Sequence, residues 1–87
     1  MKVLNTAIPV GLDMPTGKVG RKWTKVYIDN LGEFIELMQV DTIRCEFDGG
    51  TVECVVTPAN VRWIRRQDLK VHLISNGVVV AKGKLSS

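Results

Sequence analysis

Apolar and polar residues alternate with period two along much of this chain, and two of the alternating stretches fold back across turn-forming glycines. In residues 41–56, Ile43, Cys45 and Phe47 alternate with Thr42, Arg44, Glu46 and Asp48. Val52, Cys54 and Val56 then alternate with Thr51, Glu53 and Val55. The intervening Asp48-Gly49-Gly50 supplies backbone freedom at a tight turn. A Gly49-Gly50 turn would set Cys45 opposite Cys54 and Glu46 opposite Glu53. An Asp48-Gly49 turn sets Arg44 opposite Glu53 and leaves the cysteines on a diagonal. Opposed like charges cost a few tenths of a kcal/mol or more and an opposed ion pair gains about as much, so the Asp48-Gly49 register is expected. A three-residue loop would turn one strand's apolar set to solvent.

Residues 69–84 predict a second hairpin around Asn76-Gly77, a strong short-range hairpin signal. This turn pairs Ser75 with Val78, Ile74 with Val79, Leu73 with Val80 and His72 with Ala81. Both faces are apolar near the turn, which places this hairpin centrally in a sheet.

Residues 22–29 read as a strand, with Thr24, Val26 and Ile28 on one face and Trp23, Lys25 and Tyr27 on the other. Asn30-Leu31-Gly32 fits a three-residue turn with Gly32 in the left-handed conformation. In residues 33–40 the helical spacing of Phe34, Leu37, Met38 and Asp41 competes with the strand pattern Ile35-Glu36-Leu37. Strand is the favoured reading. Thr57-Pro58-Ala59-Asn60 reads as a turn with proline second, and residues 61–66 as a strand with Trp63 facing the core.

Residues 1–20 hold Pro9, Gly11, Pro15, Gly17 and Gly20 and no sustained period, so they read as an extended N-terminal arm. The arm's Val3, Leu4, Ile8, Val10, Leu12 and Met14 would pack on its own domain or on a neighbouring subunit. The expected fold is thus all-β: one domain over 21–87, a six- to seven-stranded antiparallel barrel or rolled sheet, SH3- or OB-like in size, preceded by the arm.

Composition narrows the class. Eighty-seven residues suffice for one domain, and 45% hydrophobic with 24% charged residues fits a folded chain. No stretch approaches the ~20 apolar residues of a membrane helix, and the first residues lack a signal-peptide pattern. Two cysteines are too few for a disulfide scaffold. A cytoplasmic protein without a membrane partner is expected. The net charge of +3 is unevenly spread: residues 1–28 carry +4, residues 29–53 carry −6 and residues 54–87 carry +5. That pattern predicts a dipolar surface.

Catalytic and metal motifs are wanting. Gly11 to Val19 superficially resembles a phosphate-binding loop, but five residues separate its glycines, Val19 follows Lys18, and Pro15 lacks an amide. His72 is the lone histidine and sits mid-strand, so it reads as a packed side chain and not a ligand or base. Cys45 and Cys54 read as small buried hydrophobes. Glu46 and Glu53 read as a solvated strand face. No cofactor, no metal and no enzymatic activity are expected.

Basic and aromatic residues interleave at two places. One is Lys18, Arg21, Lys22, Trp23, Lys25 and Tyr27; the other is Arg62, Arg65, Arg66 and Lys70, around Trp63. Cations for phosphates and flat rings for bases are what a single-stranded nucleic-acid surface needs. The expectation is a non-catalytic module that contacts single-stranded nucleic acid through these residues. The competing expectation is a protein-interaction module, an inhibitor or assembly subunit using the arm and the acidic hairpin. Such a role would suit a small accessory protein of a phage or mobile element. Self-association into a homo-oligomer accompanies both readings.

Overall fold

A computed structural model describes residues 10–16 and 22–85. Its elements are β1 (Val10–Thr16), β2 (Lys22–Ile28), α1 (Leu31–Leu37), β3 (Thr42–Phe47), β4 (Gly50–Val55), α2 (Pro58–Arg66), β5 (Lys70–Ser75) and β6 (Val78–Lys84). The strands form one antiparallel sheet in the order β2-β1-β6-β5-β3-β4. The fold is therefore mostly β. The expected closure into a barrel is not seen: β2 and β4 stand at opposite edges, and two helices cover one face of the open sheet.

The first hairpin takes the register expected from its charges. Arg44 faces Glu53, Cys45 faces Val52 and Ile43 faces Cys54. Arg44 Nε donates to Glu53 Oε2 at 3.0 Å. The positive φ falls on Gly50, at 146°, and not on the two turn residues. The cysteines are both free. The Cys45 thiol is pushed up from its ordinary pKa by burial, with a further contribution from neighbouring Cys54.

The second hairpin is central, as its two apolar faces require. Asn76 and Gly77 have φ of 50° and 82°, the pair of positive values that suits a two-residue hairpin turn. Ser75–Val78 and Ile74–Val79 pair as expected. A bulge between Leu73 and Ile74 then shifts the register by one, so Leu73 faces Ala81 and His72 faces Lys82. The extra residue is Val80, and the shift brings Ala81 into the core beside Leu73.

The segments 33–40 and 61–66, both read as strands, fall instead in or beside the helices α1 and α2. Asn30 caps α1, its Oδ1 accepting from the Glu33 N–H at 2.9 Å. Leu31 and Ile35, one turn apart, supply its buried stripe. The helix closes through Gln39 at φ 55°, with bonds from Val40 N–H to Ile35 O and from Gln39 N–H to Glu36 O. Gly32 is a buried helical residue, not a left-handed turn. In α2, Thr57 Oγ1 accepts from the Asn60 N–H at 3.1 Å and Pro58 occupies the first turn, where its missing amide costs nothing. Val61 and Ile64 are the buried pair. Trp63, expected in the core on strand alternation, is therefore turned outward and is 46% exposed.

Residues 10–16 belong to the sheet and not to an arm. Val10 and Leu12 are buried in the main cluster with Ile43, Val71, Leu73, Ala81, Leu31, Ile35, Val61 and Ile64. Residues 1–9 and 17–20 of the expected arm lie outside the described residues. Only two residue pairs join β1 to β6, Leu12–Gly83 and Asp13–Lys82. Gly83 has φ 146°, and a Cβ there would lie 3.2 Å from Leu12 Cδ2 and 3.3 Å from the Gly11 carbonyl oxygen. Both the positive φ and the close approach of β1 therefore favour glycine where the two halves of the sheet meet.

Gly83→Ala should cost on the order of 1–3 kcal/mol in chemical denaturation, chiefly through strained backbone at a tightly packed site. A second expectation concerns Asp41, whose carboxylate accepts from the Asn76 N–H at 2.9 Å and the Thr42 hydroxyl at 2.8 Å. These bonds, the one from Asn76 first, hold its pKa below the ordinary 3.8. Their contribution is present above that value and is lost as the pH falls through the lower folded one. Asp41→Ala should therefore melt below wild type at neutral pH, and the gap should narrow as thermal melts are repeated below pH 3.8.

Candidate nucleic-acid interface

Strand alternation divides the sheet's side chains between two surfaces. On the helix side, one row runs Val26–Leu12–Gly83–Val71–Cys45–Val52 across all six strands. On the open side, the next row runs Lys25–Asp13–Lys82–His72–Arg44–Glu53. Charges alternate at both ends of this row, while His72 lies between two cations. Its Nδ1 is 3.3 Å from Glu46 Oε2, without the alignment of a hydrogen bond. The packed-histidine expectation fits this setting, half-buried on the sheet.

Beside this row is a concavity of about 550 Å³, lined by Gly11, Asp13, Lys25, Tyr27, Lys70, Gly83 and Lys84. Tyr27 and Gly11 are direct cross-strand partners. A Cβ on Gly11 would come 3.2 Å from Tyr27 Cε1 and 3.5 Å from its Cδ1, so this edge of the ring sits against the glycine. Tyr27 is 69% exposed. One edge of its ring therefore contacts the sheet at Gly11, and most of the ring is open to solvent.

Lys70 and Lys84 are also direct cross-strand partners. Opposed like charges cost the hairpin a few tenths of a kcal/mol or more. Lys84 Nζ is held 3.2 Å from Asp68 Oδ1, an exposed pair of small energetic weight. Lys25 and Lys70 make no ion pair among the described residues. Asp13 is the one carboxylate of the concavity and stands between Lys25 and Lys82 on its own row. Lys82 Nζ lies 4.3 Å from the Trp23 ring centroid, a cation–π contact on the same face. A smaller cavity of about 130 Å³ beside α1 is lined by Asn30, Gly32, Glu33 and Glu36 and is acidic.

The residues expected to form one basic–aromatic surface are thus separated. Trp23, Lys25 and Tyr27 of β2 share the open face with Lys70 of β5. Lys22 belongs to the alternate set of β2 with Thr24 and Val26. Arg62, Arg65 and Arg66 ride on α2, across the sheet from the open face. Arg62 and Arg66 are exposed, and Arg65 Nε is buried without a partner among the described residues. Lys18 and Arg21 lie outside the described residues. Lys82 and Lys84 were not in the expected set. The alternation Lys82-Gly83-Lys84, set against Lys70 in the second hairpin, was the signal that could have found them.

Among the described residues, no group of three or more His, Cys, Asp or Glu side chains could hold a metal ion. No helix there is long and apolar enough to cross a membrane. No protein-family model, curated protein or solved structure matches the chain.

Gly11→Val should displace the Tyr27 ring, since the added atoms begin within 3.2 Å of it. The expected outcome is a changed near-ultraviolet tyrosine signal with an unchanged far-ultraviolet spectrum.

Proposed function

We propose that this chain is a non-catalytic binding module whose open sheet face takes single-stranded nucleic acid. The observation that carries the reading is the exposed Tyr27 ring, held by one edge against Gly11, at the rim of a concavity bordered by Lys25, Lys70 and Lys84. A free ring face stacks an unpaired base whatever its identity, and lysines around it take the flanking phosphates. The opposed Lys70–Lys84 pair supports the same reading. A like-charge pair that costs folding energy is relieved by an anion bound between its members. Lys82 and Trp23 extend the surface along the row towards the far end of β2.

A duplex suits this surface less well, because stacked and paired bases offer no face to Tyr27. Arg62, Arg65 and Arg66 are left out of the proposed contact, since a strand lying over the open face does not reach α2. The alternative assembly role through an arm loses Val10–Thr16, which the sheet uses for itself.

Fluorescence anisotropy of a labelled single strand at two salt concentrations tests the reading. Three or four phosphate contacts predict a slope of log affinity on log salt of about −2 to −3. Tyr27→Ala should weaken binding by about 5- to 150-fold, the equivalent of ~1–3 kcal/mol, at both salt concentrations. Lys70→Ala should reduce the slope by about 0.7. Absence of binding at low salt, or binding that ignores salt, contradicts the reading. So does binding that Arg62→Ala and Arg66→Ala weaken while Tyr27→Ala and Lys70→Ala do not.

A further inference from the structure

The two edges of the sheet are unlike. Strand β2 carries Lys22 and Lys25, and edge lysines oppose pairing with another strand. Strand β4, Gly50–Val55, contains no lysine, arginine or proline. Its one charge, Glu53, is bonded to Arg44 at 3.0 Å. Val52 is 53% exposed on the helix-side face of this edge.

The hydrogen-bond pattern fixes which backbone groups of β4 are free. Val56 N–H bonds the Asp41 carbonyl, and Phe47–Gly50, Cys45–Val52 and Ile43–Cys54 are cross-strand pairs in phase with it. Even-numbered residues of β4 therefore point their amides and carbonyls at β3, and Thr51, Glu53 and Val55 point theirs outward. The outward Val55 carbonyl is already taken: Asn60 Nδ2 donates to it at 2.8 Å. That bond closes one end of the edge; among the described residues the N–H and C=O groups of Thr51 and Glu53 and the Val55 N–H have no partner.

We propose that β4 is a self-pairing edge, and that two copies of the chain join by antiparallel pairing of β4 about a two-fold axis at Val52. In this register Thr51 of each copy faces Glu53 of the other. The four open groups of these two residues in each copy then meet four of the other in two narrow pairs. Val52 faces Val52 in the intervening wide pair, where side chains approach most closely. Centring the axis on Glu53 would oppose two carboxylates. Centring it on Thr51 would set Glu53 against the turn glycine Gly49. The Val52 register alone satisfies the four groups of Thr51 and Glu53, buries an apolar pair and opposes no like charges. The dimer sheet leaves Lys25, Tyr27, Lys70 and Lys84 untouched, so it stands or falls independently of nucleic-acid binding.

Sedimentation of the full chain over a dilution series tests this, with Val52→Lys and Thr51→Pro as variants. Thr51→Pro removes an N–H that points away from β3, and Val52→Lys opposes two cations only in the dimer. Wild type should move towards twice the monomer mass as concentration rises, and both variants should stay monomeric with the wild-type circular dichroism. Amide exchange in wild type supplies a readout that needs no variant. Thr51 and Glu53 amides should be protected in concentrated and not in dilute protein, with Cys54 protected in both. A wild type that is monomeric throughout overturns the proposal. So does a dimer that both variants leave intact, or one in which the Thr51 and Glu53 amides exchange freely.

Discussion

The layout of this molecule rests on where its two crossover connections can go. The chain leaves β2 at one edge, crosses three strands through α1 and enters β3; it leaves β4 at the other edge, crosses β3 through α2 and enters β5. The strands β2 and β4 run in opposite directions, and the connections run in opposite directions across the sheet. Right-handed crossovers of that kind place both helices on the same face. The buried cluster has that arrangement, with Leu31, Ile35, Val61 and Ile64 all packed against one set of strand residues. A single apolar layer results, and no described element covers the other face of the sheet.

That bare face is where the sequence departs from what folding alone would select. Lys70 opposite Lys84 adds repulsion to the central strands. Tyr27 exposes an aromatic ring on an edge strand. These features are costs to a domain with a thin core, and a bound polyanion would offset both of them together. The concavity also straddles the narrowest joint of the sheet. Gly11, Lys25 and Tyr27 come from the β1–β2 hairpin, and Lys70 and Lys84 from the β5–β6 hairpin, across a seam of two residue pairs. A ligand spanning the seam would tie the two halves together, so occupancy and stability of the β1–β2 hairpin are coupled.

The hairpins were legible because local chemistry decides them. Arg44 and Glu53 select the first register, and Asn76-Gly77 selects the turn of the second. The bulge at Val80 was not legible, because it answers to how Ala81 packs in the core. Both helices were missed because apolar runs this short fit either period. The deciding signals were at the boundaries. Thr57 before Pro58 is a helix start, and so is Asn30 three residues before Glu33. Reading Thr57–Asn60 as a turn displaced Arg62, Arg65 and Arg66 from a helix to a strand and so joined two basic clusters that lie on opposite sides of the sheet. Lys82 and Lys84 needed only the register of the second hairpin, but their partners across β1 are long-range and unwritten in local pattern.

The claim at the centre of this account is that recognition happens on the open face of the sheet and not on the helices. Backbone amide chemical shifts, followed while a short single-stranded oligonucleotide is added at low salt, test it most directly. Binding on the open face predicts that Gly11, Asp13, Lys25, Tyr27, Lys70, Lys82 and Lys84 move together and saturably, while Arg62 to Arg66 stay in place. Shifts centred on α2, or no saturable shifts on the open face, would contradict it.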